Sequence, residues 1–298
     1  MTAIYGGPDV SQGLLRRLNP GDYSSLHSLL AQDPLAFIYP LGWLHRDGIV
    51  PGVPYLNFHY SGLFRDGGLV AATLLAGNTL LFLATHNPRL ASEVATKLPS
   101  SGEGFRFLVG PRASVEAAWR VFSSRGFRAR LERNQLVLTV TAEQLRARAN
   151  SGLRRAEPHD LPALLKATLD MHAHETLEYP KPEDVSAFER TIEYQITMKR
   201  LFVITTGENR ELCFKASISA LCPRGAQIEG VWVPPRHRGQ GYARQGVGRL
   251  CEWLLERVEQ VSLYVNEDNT PALGLYKTSL GFRDGLPFKT IFLNRSGC

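Results

Sequence analysis

Cysteine pairs, long apolar runs and a signal-like start are missing from this sequence of 298 residues. The four cysteines are Cys213, Cys222, Cys251 and Cys298. None of them forms a CxxC pair, so neither a zinc ribbon nor a disulfide framework is expected. The longest apolar stretch, residues 69–85, is interrupted by a Gly-Asn turn and falls short of the ~20 residues of a membrane span. The N-terminal segment has no cationic start followed by an apolar core. We therefore expect a cytoplasmic protein without a membrane partner.

Lysine is absent from residues 106–155, where eleven arginines stand against three acidic residues, Glu116, Glu132 and Glu143. The whole chain carries a formal charge of +6, so this segment holds more positive charge than the chain as a whole. Such a segment could bind nucleic acid or steer an anionic ligand. No aromatic-rich RNA-binding motif accompanies the arginines. We interpret them as a solvated surface and expect no nucleic-acid partner, while a nucleic-acid-associated protein stays an alternative.

Length and composition indicate two ordinary globular domains. Hydrophobic residues make up 44% of the chain and charged residues 21%, which is typical of soluble globular proteins. A chain of 298 residues is about two domains long. The best boundary lies near residues 141–153, where a short basic helix ends in Asn-Ser-Gly. We expect one domain over residues 1–150 and a second over residues 151–298, and no internal repeat is evident.

Apolar patterning predicts alternating strands and helices in both halves. Helices are expected at residues 22–30, 88–98, 113–124, 183–200, 243–258 and 271–279, with a further helix that begins at residue 160. Strands are expected at residues 56–64, 69–75, 80–85, 105–109, 135–140, 153–157, 201–205, 212–221, 226–233, 261–265 and 289–293. Residues 40–54, rich in Pro and Gly, are expected to form a loop. This alternation is typical of α/β proteins.

The most informative stretch runs from residue 226 to residue 257. A strand ends there at Pro234 and Pro235, which cannot donate ladder hydrogen bonds. Gly239 and Gly241 follow, and then a helix with one apolar face. Glycines at a strand-to-helix turn leave N–H groups unobstructed, and the helix start adds partial positive charge. The sequence therefore predicts a phosphate-binding loop.

Three types of phosphate loop compete for this stretch. The dinucleotide pattern GxGxxG fails because Arg244 stands at the third glycine position, and the ATP-type loop fails because Val247 and Gly248 replace its Lys-Ser/Thr. The remaining pattern is R-x-x-G-x-A at Arg238, Gly241 and Ala243. It resembles the acyl-CoA pyrophosphate loop of the GNAT superfamily of N-acetyltransferases.

The segment that follows is similar to the rest of the GNAT cofactor half. Residues 261–282 contain a strand, then Asn266 and Asn269, a short helix with Tyr276, and Leu-Gly-Phe at the end. We therefore identify the second half as a GNAT-like domain. The resemblance implies an α/β (α+β) fold, with a mixed, largely antiparallel sheet that is flanked by helices and splayed at the cofactor-binding strand.

The resemblance implies that acetyl-CoA is the acyl donor. Backbone N–H groups of the loop would hold its pyrophosphate, and the strand before the loop would pair with its pantetheine arm. Asn269 would lie near the pantetheine, or would cap the next helix, or both. Gly230 would form a bulge or leave a packing gap beneath Trp232. The implied cofactor-binding residues are Val231, Trp232, Val233, Arg238, Gly239, Gln240, Gly241, Tyr242, Ala243, Asn269 and Tyr276.

Two residues are candidates for the proton transfers. Tyr276 matches the tyrosine that protonates the departing CoA thiolate in many GNAT enzymes, and its alternative role is an aromatic core residue. Glu229 is the best candidate for the base that removes the ammonium proton, because GNAT enzymes often carry a carboxylate on this strand. Alternatively, Glu229 is an exposed or salt-bridged carboxylate without a catalytic role, and the ammonium proton leaves through a water-mediated base.

Other polar residues are weaker candidates. His172, His174 and Glu175 look like metal ligands, but residues two apart on a helix point in different directions, so no metal is expected. With Glu178 and Tyr179 they could contact the acceptor substrate. Alternation on a half-buried strand explains Lys215, Ser217 and Ser219, while Cys251 and Trp232 are expected in the core.

The first half has the strand–helix rhythm of a GNAT domain without the loop. Its two strand-to-helix junctions, residues 86–89 and 109–112, each carry a proline where N–H donors are needed. We expect a divergent GNAT-like domain there and one CoA per chain. The whole resembles two-domain bacterial acetyltransferases, and glycine N-acyltransferase-like proteins share its length and layout.

Together these features predict an acyl-CoA-dependent N-acyltransferase. It would transfer acetyl from acetyl-CoA to a primary amine by direct attack within a ternary complex. The alternative from another class is a CoA-binding sensor or pseudoenzyme. The sequence does not identify the amine, and a homodimer is compatible with it.

Overall fold

A computed structural model describes residues 13–50, 57–77, 79–98, 104–146 and 152–294. They form two compact units. The first unit takes in residues up to Asp33, Asp47–Arg133 and the segment from Phe288, and the second takes in Pro34–Arg46 and Asn134–Pro287. Each unit therefore includes a segment from the other half of the sequence. One boundary near residues 141–153 does not describe these units, and whether residues 1–150 and 151–298 are separate folding domains stays a prediction.

The first unit is a mostly antiparallel sheet with helices α1, α3 and α4. Its strand order is β1-β2-β3-β4-β5-β12, and β4 and β5 are its one parallel pair among the described residues. The turn between β2 and β3 is Asp66-Gly67, with φ of 48° and 78°, as a two-residue type I′ hairpin requires. The elements are β1 (Leu14–Arg17), α1 (Tyr23–Leu30), β2 (Phe58–Arg65), β3 (Gly68–Ala76), β4 (Leu80–Ala84), α3 (Pro88–Lys97), β5 (Phe107–Pro111), α4 (Arg112–Ser124) and, from Phe288 on, β12 (Arg283–Leu293).

The second unit is a mixed sheet in the order β6-β11-β10-β9-β8-β7. Strands β10 and β11 are parallel, and the other neighbours in this sheet are antiparallel. The elements are α2 (Ile38–Asp47), β6 (Ala129–Val140, from Asn134 on), β7 (Arg154–Arg155), α5 (Leu161–Thr176), α6 (Pro182–Thr197), β8 (Leu201–Thr206), β9 (Glu211–Cys222), β10 (Gly225–Trp232), α7 (Tyr242–Leu255), β11 (Val261–Asn266) and α8 (Thr270–Leu273). A π-helical turn, Gly274–Ser279, follows α8. No helix among the described residues is long and apolar enough to cross a bilayer.

Helix α2 corrects the loop expected at residues 40–54. Pro40 lies in the first turn of this helix, where its missing N–H costs nothing. Gly42 faces β9 so closely that a Cβ would stand 2.7 Å from the Cβ of Ala220. Both residues thus serve a helix that packs tightly, and they do not mark a turn. Residues 51–54 of the expected loop lie outside the described residues.

Both units contain the same short motif, which corrects the expectation of no internal repeat. Residues 15–22 and 153–160 share the pattern L-R-R-x-x-P-x-D. Arg16 makes two hydrogen bonds to the carboxylate of Asp22, of 2.8 and 2.6 Å, and Arg154 makes two of 2.7 Å to Asp160. In both copies the aspartate also accepts the backbone N–H three residues before it. In each unit the same contacts therefore stabilise the connection between a strand and the helix that follows it.

Part of the arginine-rich segment is structural. Arg125 donates to the carbonyls of Ala95 and Leu98 at 2.6 and 2.8 Å, so it caps the C-terminal end of α3. Arg154 is committed to Asp160. The interpretation of these arginines as a purely solvated surface is therefore too simple.

One face of the second sheet is apolar and packs on α7. Phe214, Ala216 and Ile218 of β9 lie in this core with the apolar face of the helix. Gly246 of α7 rests on the ring of Phe214, where a Cβ would collide with the ring. Cys251 is fully buried there, as expected, and Cys213, Cys222 and Cys251 are free thiols. Cys298 lies outside the described residues.

The second sheet opens along β10. Pairing of β10 with β11 ends at Ile228 and Leu263, although β10 continues to Trp232 and β11 to Asn266. On its other edge, β10 makes a bulge against β9 between Glu229 and Trp232. The expected splay is confirmed. It leaves the β11-facing edge of the last residues of β10 without pairing to β11.

Candidate active site

Gly230 forms the bulge in β10. Its φ is +61°, in the left-handed region that favours glycine. A Cβ there would stand 3.3 Å from Ser217 Oγ and 3.5 Å from Lys215 Nζ. Gly230 therefore serves the bulge, and a packing gap beneath Trp232 does not explain it.

The loop after β10 presents backbone N–H groups at the start of a helix. A 3₁₀ turn, Pro235–His237, leads to Gly239 and Gly241, whose φ values are +76° and +84°. A Cβ on Gly239 would meet nothing within 4 Å, so backbone conformation and not crowding calls for glycine there. The first N–H groups of α7 have no partner inside the helix, and the helix start is electropositive. This arrangement can hold an anion.

Side chains around the loop hold it in place. Glu211 pairs with Arg236, and its Oε1 lies 2.8 Å from Nε2 of His237. The guanidinium of Arg238 lies over the Trp232 ring at 4.9 Å, and its Nε donates to the Val233 carbonyl at 3.2 Å. These side chains therefore support the loop, in which the backbone N–H of Arg238 itself donates to the carbonyl of Pro235 at 3.2 Å.

Asn269 caps α8. Its side-chain oxygen accepts the N–H of Ala272 at 3.2 Å. The capping role is confirmed, and contact with a pantetheine arm stays a prediction.

Tyr276 lies in the π-helical turn and is 6% exposed. Its ring packs against Phe282 at 5.7 Å between centroids. Burial raises the pKa of the phenol, and the neighbouring Cys251 and Glu175 raise it further. Tyr276 therefore keeps its proton at neutral pH, which a core residue and a proton donor both require.

Glu229 is reached by solvent and yet surrounded by protein groups. Loss of hydration raises the pKa of its carboxyl group, the positive charge of Lys215 opposes this, and Glu175 adds to it. A carboxylate with a raised pKa is a better proton acceptor than an ordinary glutamate.

Lys215 is the residue that sequence reasoning missed. It is 4% exposed, and its Nζ donates to the carbonyl oxygen of Gly230 at 3.3 Å. Burial lowers the pKa of Lys215 to about 8, while Glu175 and Glu229 favour the charged form. The available signal was a lysine at an inward position of a buried strand, because lysine is almost never fully buried without a partner.

Glu175 links the predicted residues. Its charge acts on Lys215, Glu229 and Tyr276, so the structure brings these groups of α5, β9, β10 and the π-helical turn into one electrostatic neighbourhood. Two further residues of this neighbourhood, Tyr39 of α2 and Tyr264 of β11, have pKa values raised by burial and by Glu229.

The two histidines of the HAHE sequence make ring contacts. His172 packs against Phe188 at 5.1 Å and His174 against Trp232 at 5.7 Å. Over the part of the chain that the structure describes, no group of three or more His, Cys, Asp or Glu side chains could hold a metal ion. Trp232 is 8% exposed and belongs to the core under α5, as expected.

This geometry agrees with a comparison of the sequence with known families. The model of the Acetyltransferase (GNAT) family matches residues 169–282, a range that contains Glu175, Lys215, Glu229, the loop and Tyr276. Over residues 169–282 the chain is therefore similar to the GNAT acetyltransferase family. An N-acetyltransferase 9-like protein of Caenorhabditis elegans is 34% identical over 68 residues, which are 22% of this chain and 33% of that protein. The match thus spans about a third of the length of that curated relative.

Two solved structures share the fold of nearly the whole chain. A GCN5-related N-acetyltransferase from Sphaerobacter thermophilus has a TM-score of 0.61 at 16% identity, covering 97% of this chain and 98% of that one. A tandem GNAT protein from the clavulanic acid biosynthesis pathway has a TM-score of 0.57 at 14% identity, covering 96% and 100%. These likenesses confirm the expected fold class, a tandem GNAT-like α/β arrangement of largely antiparallel sheets flanked by helices.

Proposed function

We propose that this protein is an acyl-CoA-dependent N-acyltransferase that moves the acetyl group of acetyl-CoA to a primary amine. The observation that carries the proposal is the pair of positive-φ glycines, Gly239 and Gly241, at the start of α7 and directly after the open end of β10. Such a loop suits a pyrophosphate, and an unpaired strand edge suits the amide groups of a pantetheine arm. The family match over residues 169–282 supports the same reaction class.

The proposed cofactor-binding site consists of the residues that the sequence predicted. Loop N–H groups bind the pyrophosphate, the end of β10 pairs with the pantetheine, and Asn269 and Tyr276 lie toward its thiol end. The residues of this site are Val231, Trp232, Val233, Arg238, Gly239, Gln240, Gly241, Tyr242, Ala243, Asn269 and Tyr276.

The proposed reaction is direct attack in a ternary complex. The amine nitrogen bonds to the acetyl carbon, and the carbonyl electrons move onto oxygen, where a backbone N–H of residues 231–233 stabilises them. Collapse breaks the C–S bond, and the leaving thiolate takes the proton of Tyr276, which water replaces. Before the attack Glu229 removes the proton of the ammonium form of the acceptor, directly or through water, which frees the nitrogen lone pair. The second proton, lost from nitrogen as the amide forms, passes to water.

The charges near Glu229 suit an amine acceptor. Glu175 and Glu229 both act on the same neighbourhood, and two carboxylates attract a cationic substrate. Glu178 and Tyr179 are exposed residues that follow α5, and they are proposed contacts of that substrate.

A single cofactor site per chain is part of the proposal. In the first unit, the helix after β4 begins with Pro88, which has no N–H. The next N–H, that of Arg89, donates to the side chain of the N-cap residue Asn87 at 2.9 Å. The helix after β5 begins beside Pro111, which has no N–H. These starts offer few donors to a pyrophosphate, so the first half is proposed to be a divergent GNAT-like domain without a cofactor loop.

Replacement of Gly241 by Val tests the cofactor-binding site, with Gly207→Val as its control. Gly207 also has positive φ, +68°, and open space around it, so both variants carry similar backbone strain. We expect Gly241→Val to weaken acetyl-CoA binding by roughly tenfold or more in calorimetry, a loss of about 1.4 kcal/mol. Gly207→Val should bind as the wild type does. Unchanged affinity in a folded Gly241→Val protein would remove the basis of the proposal.

Thiol release over a library of amines tests the transfer step. Release that depends on one class of amine supports the enzyme and identifies its acceptor. Tight CoA binding without release for any amine would favour a CoA-binding sensor.

A further inference from the structure

Lys215 donates a hydrogen bond to a backbone carbonyl at the open end of β10. In the register of the sheet it lies opposite Trp232, while Ser217 lies opposite Glu229. Between these two pairs β10 has one extra residue, and the ammonium of Lys215 reaches into that bulge to the carbonyl of Gly230 at 3.3 Å. Ser217 Oγ donates to the preceding carbonyl, that of Glu229, at 3.4 Å. Both side chains of β9 thus bind the backbone of the bulge.

The carbonyl of Gly230 and the N–H of Val231 belong to one peptide group. This peptide bond is trans, so its N–H and C=O point in opposite directions. A donor that fixes the carbonyl therefore fixes the direction of the N–H as well. A cation on the carbonyl also polarises the peptide group and makes its N–H a stronger donor.

We propose that Lys215 is a positioning residue that aims the N–H of Val231 at the oxygen of the acetyl thioester. The inference rests on the proposed function, because it selects Val231 among the β10 donors and names the side chain that orients it. The left-handed conformation of Gly230, with φ of +61°, fits this role, since this bulge geometry places the carbonyl within hydrogen-bond distance of the ammonium. Lys215 touches neither the amine nor the thioester and acts through the peptide group.

The burial of the ammonium argues against a merely structural lysine. Taking a cation out of water is costly, and the cost shows in the lowered pKa of Lys215. A neutral residue would fill the same space on β9 without that cost, as Ser217 and Ser219 do along the same face. The charge is useful where negative charge develops on the neighbouring substrate oxygen.

Infrared difference spectroscopy of bound acetyl-CoA, labelled with ¹³C at the acetyl carbonyl, tests this role without an amine. Hydrogen bonding lowers the stretching frequency of the thioester carbonyl, and the shift reports the donor. The variants are Lys215→Met, which keeps the length and removes the charge, and Lys215→Arg, which keeps the charge. Lys166→Met is the control, because Lys166 is exposed on α5 and paired with Asp170. Calorimetry on the same full-length proteins gives the affinity for acetyl-CoA.

We expect Lys215→Met to lose about half or more of the wild-type shift, with the acetyl-CoA dissociation constant within about threefold of the wild-type value. Lys215→Arg should recover part of the shift, and Lys166→Met should keep all of it. A full shift in Lys215→Met would overturn the inference, and so would a loss of affinity of about tenfold or more, which would mean that Lys215 only supports the cofactor strand. If Lys215→Met does not fold, Lys215→Arg decides, since a geometry-dependent role predicts a shift between that of free and wild-type-bound acetyl-CoA. Failure of the wild type to bind acetyl-CoA would overturn the proposed function and this inference with it.

Discussion

Tyr276 is kept protonated by its surroundings, and this sets the chemistry open to it. Burial raises the pKa of its phenol, so it can give a proton to a thiolate but cannot act as a base near neutral pH. We expect Tyr276→Phe to lower kcat by roughly 10²-fold, with little change in acetyl-CoA affinity, because the ring and its contact with Phe282 remain.

Steady-state kinetics with a responsive amine, and calorimetry for affinity, check this prediction. The matched control is Tyr23→Phe, which also removes one hydroxyl from a tyrosine ring but lies exposed on α1 of the first unit, outside the proposed cofactor-binding residues. A fall in kcat of less than about threefold for Tyr276→Phe would assign this residue to packing.

Glu229 sets the expected pH dependence. Its pKa is raised by loss of hydration and by Glu175, and a base works only when deprotonated. Activity should therefore rise with pH through a pKa above the ordinary glutamate value of 4.5. In Glu229→Gln this acidic limb should disappear or move, because the group that titrates is gone.

A profile of kcat/KM against pH, for the wild type and Glu229→Gln, tests the assignment. Glu208→Gln removes an exposed carboxylate in the turn between β8 and β9 and should leave the limb in place. Identical acidic limbs in the wild type and Glu229→Gln would assign the base to water or another group.

At the scale of the element, local signals predicted strands and helices well. Prolines and glycines follow the alternating apolar positions of β10, and this change of pattern predicted the strand, the loop and α7. The loop geometry follows from Gly239 and Gly241. The α2 segment was mispredicted because Pro40 and Gly42 are turn signals in isolation. A helix accepts Pro in its first turn, and the contact of Gly42 with Ala220 is tertiary.

The charged neighbourhood around Lys215 was beyond local prediction. Its members come from α2, α5, β9, β10 and β11, and only the fold places them together. Glu229 was found because a family pattern marks its strand. Lys215 was dismissed because strand alternation accounts for its position, although alternation says nothing about which buried atom an ammonium will bind.

The whole molecule carries two copies of one strand-to-helix motif. The repeated L-R-R-x-x-P-x-D motif, with equivalent ion pairs Arg16–Asp22 and Arg154–Asp160, supports two related halves. Among the described residues, the second half has the glycine pair Gly239 and Gly241 directly before a helix, whereas Pro88 and Pro111 stand at the helix starts of the first half. The halves therefore share this strand-to-helix motif and differ in the residues at their helix starts.

We therefore expect one tight acetyl-CoA site in each chain. Calorimetry on the full chain at moderate ionic strength should give a stoichiometry of one, and loose binding to the arginine-rich segment should vanish as salt is raised. Gly241→Val should weaken this site by roughly tenfold or more and reveal no second one. Two tight sites in the wild type would show that the first half keeps a cofactor loop of its own.

The pairing of β12 with β5 delays the folding of the first unit while the protein is being synthesised. Phe288 to Phe292 pair with Pro111 to Phe107, although about 180 residues of chain separate the two strands. At typical elongation rates of about 5–20 residues per second, the edge of β5 waits roughly 10–40 s on the ribosome for its partner. During that time the first unit lacks its closing strand, and its open edge is a template for wrong pairing. We therefore expect the first unit to be most open to wrong pairing until residues 288–292 have been made.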